Sequence, residues 1–89
     1  MKAIITILGK DKVGIIASVS TLLANHNVNI LDITQTVMKE YFTMTMLVDL
    51  DRLDTEFITL QEELTNRGHA IQMDIKIQRE DIFEKMYGI

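Results

Sequence analysis

The spacing of apolar residues predicts a strand and then a helix at the start of this chain. Residues 2–8 (KAIITIL) are apolar at odd and even positions alike and rich in β-branched side chains, which is typical of a central strand. From Val13 to Asn25 the apolar residues recur every three or four positions, which predicts an amphipathic helix. Asp11 is the predicted N-cap of that helix, because its carboxylate can accept hydrogen bonds from the first free N–H groups.

The rest of the chain predicts three more strands and two more helices. Residues 27–38 (NVNILDITQTVM) form the second predicted strand, with an irregularity near Leu31, and Lys39 and Glu40 form a short turn into the third. A second helix is predicted to begin in the acidic stretch 51–54 and to end at Gly68 in the left-handed conformation. The third strand, the fourth strand (70–78) and a short C-terminal helix follow from alternating and helical spacing, with inward residues Phe42, Met44, Met46, Val48, Leu50, Ile71, Met73, Ile75 and Ile77.

This order of elements, βαββαβ with a C-terminal helix, predicts an α+β fold of the ferredoxin-like type. Right-handed crossovers give a four-stranded antiparallel sheet in the order 4-1-3-2, with both long helices on one face. The residues on the other face of strands 3 and 4 are polar, so that face is expected to be exposed to solvent or covered by another element. The C-terminal helix is one candidate for this cover.

Composition narrows the function classes. A chain of 89 residues forms one small domain, and the absence of cysteine excludes disulfides and thiolate metal sites and favours the cytoplasm. The formal charge of −4 argues against direct nucleic-acid binding, which needs clustered Lys and Arg. Apolar runs of a few residues are too short for a membrane span, and the N-terminus has no signal-peptide pattern.

The strand-to-helix loop LGKDKVG is the main candidate site. It lacks the Gly-Lys-Ser/Thr ending of a Walker A loop and the following βαβ units of a dinucleotide fold. In a purely structural role, Gly9 would permit a positive φ and Gly14 would let the helix pack closely against the sheet. In a binding role, the N–H groups of residues 13–16 would hold a carboxylate and Asp11 would accept from an ammonium group, a combination suited to an amino acid. Positive potential would come from Lys10 and Lys12.

The segments GKDKVGI (9–15) and NVNILDITQ (27–35) resemble the ACT domain, a regulatory module with the βαββαβ fold. The resemblance covers residues 2–78, so the expected organisation is an ACT domain at 1–78 and a helical tail at 79–89. The tail also resembles small stand-alone ACT proteins related to the regulator of the glycine cleavage system. The resemblance implies that Asp11 and Asn29 contact the polar head of an amino-acid ligand, although Val13 stands where proline is common in the family.

Geometry predicts that two chains share this site. The first helix is about 20 Å long and therefore puts Asn29 at the opposite end of the sheet from Asp11. Strand 2 is a partly apolar edge, and pairing two such edges about a two-fold axis would bring Asn29 of one subunit toward Asp11 of the other, with helix 1 as a further candidate contact. The expected ligand-binding residues are Gly9, Lys10, Asp11, Lys12, Val13, Gly14, Ile15, Ile16, Asn29, Ile30, Asp32 and Gln35.

Catalysis, metals and cofactors are not expected. His26 and His69 look isolated, without carboxylates at ligand spacing, and the arginine that an acylphosphatase-like loop would need is absent, since the only arginines are Arg52, Arg67 and Arg79. The leading hypothesis is a non-catalytic homodimeric sensor of an amino-acid-like metabolite. The alternative is a protein–protein interaction module with a vestigial pocket, which would act on an unknown protein partner through its sheet face and C-terminal helix.

Overall fold

The computed structural model describes residues 1–88 and confirms the ferredoxin-like fold. The strands form one antiparallel sheet in the order β2-β3-β1-β4, which is the predicted order. The predicted irregularity near Leu31 is a β-bulge between Ile30 and Asp32. In chain order the elements are β1 (Lys2–Lys10), α1 (Ile15–Asn25), β2 (Asn29–Met38), β3 (Tyr41–Asp49), α2 (Phe57–Ala70), β4 (Met73–Arg79) and α3 (Glu80–Tyr87).

The core lies between the sheet and the two long helices, as the alternation of apolar residues predicts. Ile5 and Ile7 from β1, one of the two central strands of the sheet, are fully buried, as are Leu60 and Leu64 from α2. Among the inward positions predicted for β3 and β4, all are buried except Ile71, which precedes β4 and packs against the core while partly exposed. Within residues 1–88 the structure buries no polar or charged residue, so the core is held by apolar packing.

The outer face of the sheet is partly covered by α3. This helix lies against β1 and β4, and the Gln78 amide contacts the Met86 sulfur at 3.4 Å. The rings of Phe83 and Tyr87 pack with their centroids 4.6 Å apart. The predicted C-terminal helix is therefore confirmed for Glu80–Tyr87, and Ile89 lies outside the described residues.

Both long helices begin later than predicted. The N-cap of α1 is Gly14 with no side-chain cap, so the prediction that Asp11 caps this helix is wrong. The N-cap of α2 is Glu56, and the acidic stretch 51–54 precedes the helix as a turn. That turn forms because the Asp49 carboxylate accepts from the Asp51 N–H at 2.8 Å, a local bond that competes with helix formation.

The glycines have different roles from those predicted. Gly14 has φ +92° in open space, whereas Gly9 lies in β1, where an added Cβ would come within 2.5 Å of the Met73 sulfur. The positive φ predicted for Gly9 is therefore found at Gly14, and the close packing predicted for Gly14 is found at Gly9. Gly68 is also not the left-handed end of α2; it lies inside the helix, which continues to Ala70.

Candidate functional site

The loop after β1 is anchored to the β2–β3 turn and leaves the start of α1 open. The Asp11 N–H donates to the Glu40 carbonyl at 2.7 Å. The first α1 amide that bonds back to the chain is that of Ser18, which donates to the Gly14 carbonyl at 2.9 Å. The N–H groups of residues 15–17 precede the first possible helical bond, and no side chain caps them. These free N–H groups put positive partial charge at the start of α1, which suits an anionic group.

A cavity of about 400 Å³ lies at this helix start. It contains six of the eight predicted loop residues, from Asp11 to Ile16, together with the predicted β2 residue Gln35. Ala17 and Phe42 also line it and were missed by the sequence analysis. Phe42 reaches this position through its pairing with Gly9, a long-range contact that no local pattern in the sequence marks.

Two predicted loop residues are not among the residues that line the cavity. Gly9 and Lys10 belong to β1 and pair with Phe42 and Tyr41 of β3. Lys12, in contrast, lines the cavity, and its ammonium group donates to the Gln72 side-chain oxygen at 3.1 Å. Asp11 contributes a carboxylate to the lining of the cavity and can therefore pair with a ligand cation.

Asn29 lies at the far end of the sheet. It begins β2 and pairs with Asp49, the last residue of β3, whereas the Asp11 loop adjoins the first residue of that strand. Across a nine-residue strand this separation is about 27 Å. A second cavity of about 520 Å³ opens beside Asn29 and is lined by Asn27, Val28, Asn29, Asp49, Asp51 and Arg52. A single chain thus keeps the two predicted halves of the site apart.

The other predicted β2 residues divide between the faces of the sheet. Gln35 pairs with buried Met44 and faces the helix side, whereas Asp32 pairs with Leu47 on the outer face. The Asp32 carboxylate accepts the N–H of Ile33 at 2.9 Å, directly after the bulge. Ile30 is partly buried and packs against the core.

β2 is an edge strand with exposed apolar side chains. Ile33 is 42% exposed and Val37 is 48% exposed, and both lie on the helix side of the sheet. Ile16 of α1 is 42% exposed on the same side. An unpaired edge combined with apolar side chains is a surface that proteins normally cover.

Ion pairs occupy the end of the sheet near Asn29. The N-terminal ammonium group of Met1 pairs with the Asp51 carboxylate. This hydrogen bond raises the pKa of the Met1 amine and lowers the pKa of Asp51. Asp51 is therefore already paired and leaves Arg52 as a cation in the neighbouring cavity.

His26 is not isolated, which corrects the sequence analysis. Its Nδ1 lies 2.7 Å from the Asp54 carboxylate and its Nε2 lies 2.9 Å from the Glu63 carboxylate. Hydrogen bonds to Asp54 and then Glu63 raise the pKa of His26 above its usual value. The sequence held no signal for this cluster, because its members come from three separate segments. Within residues 1–88, no group of three or more His, Cys, Asp or Glu side chains is arranged to hold a metal ion.

The fold, the loop and the order of the elements define the class of this protein. The family model of the ACT domain matches residues 2–78, so the chain belongs to the ACT domain family. ACT domains are regulatory modules that bind amino acids or other small metabolites. Among residues 1–88, no helix has the length and apolar character needed to span a membrane.

Within this family the chain is similar to small stand-alone proteins. It is 56% identical to a UPF0237 protein of Clostridium acetobutylicum over 86 residues, which are 97% of each chain. It is 48% identical to the solved ACT domain protein from Streptococcus pneumoniae, with a TM-score of 0.82 over 94% of each chain. A structure described as a glycine cleavage system transcriptional repressor is 26% identical, with a TM-score of 0.72 over 88% of this chain and 44% of that one. The resemblance stated from the sequence is confirmed.

Proposed function

We propose that this chain is a non-catalytic sensor that binds an amino acid or a similar small metabolite at a homodimer interface. The observation that carries the proposal is the uncapped start of α1 beside Asp11 in a cavity of about 400 Å³. Free amides suit a carboxylate and a neighbouring carboxylate suits an ammonium group, so the two together suit a zwitterion.

The surroundings of the cavity support a ligand of small size. Ile15, Ile16, Ala17 and Phe42 supply apolar walls, and Gln35 adds an amide that can donate and accept. A few placed polar groups on an apolar lining are typical of small-molecule sites.

Dimerisation through β2 completes the proposed site. Two antiparallel β2 edges, paired about a two-fold axis, would place the start of one β2 beside the end of the other. Asn29 of one subunit would then approach the Asp11 loop of its partner. The same pairing would cover Ile33 and Val37, and the exposed Ile16 of α1 makes this helix part of the proposed interface. Ligand occupancy would change the geometry of the dimer and so reach an unidentified protein partner.

A second candidate function is a protein–protein interaction module whose pocket is vestigial. The observation that favours it is α3, which buries none of its side chains and exposes Ile82, Met86 and Tyr87. An amphipathic helix with an exposed apolar face suits a partner protein.

A thermal-shift panel of the common amino acids separates the two. For the sensor, at least one amino acid at about 100 times its dissociation constant stabilises the protein by about 2.7 kcal/mol, and Asp11→Ala abolishes that shift. Asp74→Ala is the matched control, because Asp74 is an exposed carboxylate on β4 outside the cavity. If no amino acid raises the melting temperature, the interaction module becomes the better hypothesis. A shift that survives in Asp11→Ala would place the ligand elsewhere.

A further inference from the structure

His26 joins three parts of the chain through its two ring nitrogens. It forms the C-cap of α1 and lies just before β2. Asp54 belongs to the turn that precedes α2, and Glu63 belongs to α2 itself. The Asp54 N–H also donates a backbone hydrogen bond to the His26 carbonyl at 3.3 Å, which links the same two segments. With 20% of its side chain exposed, His26 is held among these groups and not extended into solvent.

The pairing of both nitrogens with carboxylates determines the protonation state. A neutral imidazole has one N–H donor and one acceptor nitrogen, whereas an imidazolium has two donors. Carboxylates accept but do not donate, so both contacts, at 2.7 and 2.9 Å, are hydrogen bonds only when the ring carries both protons. Loss of that proton would leave a nitrogen lone pair facing a carboxylate oxygen.

Within residues 1–88, the charged groups that shift the pKa of His26 are Asp54 and Glu63. The segment Ile15–Asn25 of α1 contains no charged side chain. On α2, Arg67 lies one turn beyond Glu63, but its guanidinium donates to the Ser18 carbonyl and hydroxyl at 3.0 and 3.1 Å. In the turn, Asp51 pairs with the N-terminus and Arg52 lines the cavity beside Asn29. Asp54 and Glu63 are therefore the charged groups that form ion pairs with His26.

We propose that His26 is a proton-operated clasp that holds the Asn27–Asn29 segment in place and makes this half of the site sensitive to pH in the neutral range. Asn27 has a left-handed φ of 60° directly after His26, and Val28 donates back to the Leu23 carbonyl at 3.0 Å. Asn27 and Asn29 both line the cavity of about 520 Å³. The clasp itself needs no ligand, and only its effect on affinity rests on the proposed function.

The sign of the pH effect follows from the direction of the pKa shift. Asp54 and Glu63 raise the pKa of folded His26 above its unfolded value of about 6.5. The stabilisation is thus complete below about pH 6.5 and is lost as the pH rises through the folded pKa. Above the folded pKa, His26 is neutral and can no longer donate to both carboxylates.

An NMR titration of the free protein tests the clasp directly. We expect the His26 ring to titrate above pH 6.5, and the amide signals of Asn27 and Asn29 to move with the same midpoint. Asp54→Asn and Glu63→Gln should each lower that midpoint, which loss of packing alone would not do. A His26 midpoint at or below 6.5 overturns the proposal. An elevated midpoint without a response at Asn27 and Asn29 overturns the coupling to the site.

Unfolding in urea provides the second measurement. The urea midpoint of the unmodified protein should fall as the pH rises above about 6.5 and through the folded pKa of His26. His26→Gln should remove the part of this pH-dependent fall that comes from His26. His69→Gln is the control: it changes an exposed histidine outside the clasp, so the fall should remain. Identical pH profiles for the unmodified chain and His26→Gln would contradict the clasp. Neither measurement uses an amino acid, so a failed ligand panel leaves both outcomes intact.

Discussion

Gly68 lies in the interior of α2, where glycine is intrinsically a poor helix former. Replacing glycine by alanine at an exposed position in a helix interior stabilises the helix by about 1 kcal/mol. At Gly68, however, an added Cβ would lie 2.5 Å from the backbone carbonyl oxygen of Met73 and 3.1 Å from a side-chain atom of Ile75. The close approach of α2 to β4 therefore explains this glycine.

Gly68→Ala is expected to destabilise the fold by about 1–3 kcal/mol, against its helix propensity, because a backbone carbonyl cannot move aside. Urea unfolding measures the effect. Asn66→Ala is the control, since Asn66 is exposed on the same helix and its replacement raises propensity without a clash. A Gly68→Ala chain as stable as the unmodified protein would show that α2 can shift away from β4.

Single residues were the hardest scale to predict from the sequence. Glycines mark special backbone positions, but a pattern does not tell a positive φ at Gly14 from a close contact at Gly9, because the contact depends on β4, which follows much later in the chain. His26 was missed for the same reason: its carboxylate partners lie 28 and 37 residues away. Long-range contacts between side chains leave no local trace in the sequence.

At the scale of elements, alternation of apolar residues was informative and capping signals were not. β3 was predicted closely, because each inward residue is buried against the helices. The helix starts were wrong, because Asp11 and the acidic stretch 51–54 form turn and loop contacts instead of caps. The bulge in β2 was visible as a break in its alternation at Leu31.

The exposed edge of β2 gives a prediction at this scale. Ile33→Lys is expected to leave the fold intact, since the side chain is 42% exposed, but to convert the proposed dimer into a monomer, because it puts a charge into the interface. Size-exclusion chromatography with light scattering measures the mass. Ile58→Lys is the matched control, since Ile58 is 51% exposed on α2, away from β2. A dimer that survives Ile33→Lys would place the interface elsewhere.

At the scale of the whole molecule, the two candidate half-sites are separated by the length of the sheet. Asp11 and Asn29 lie at opposite ends of β3, as the sequence predicted from the length of the first helix. This separation could be predicted because it depends only on element order and length. The residues that complete the cavity, such as Phe42 and Ala17, could not be predicted, because their positions depend on side-chain packing.

A shared site makes ligand binding and dimerisation mutually dependent. If only the dimer binds, an amino acid at about nine times its dissociation constant at both sites lowers the dimer dissociation constant by about 100-fold, by mass action. Analytical ultracentrifugation over a range of ligand concentrations measures this shift. By the same linkage, a monomeric Ile33→Lys chain should lose the thermal shift although its own Asp11 loop is unchanged. Binding of the amino acid to that monomer with undiminished affinity would show that each loop forms a complete site, without Asn29 of a partner.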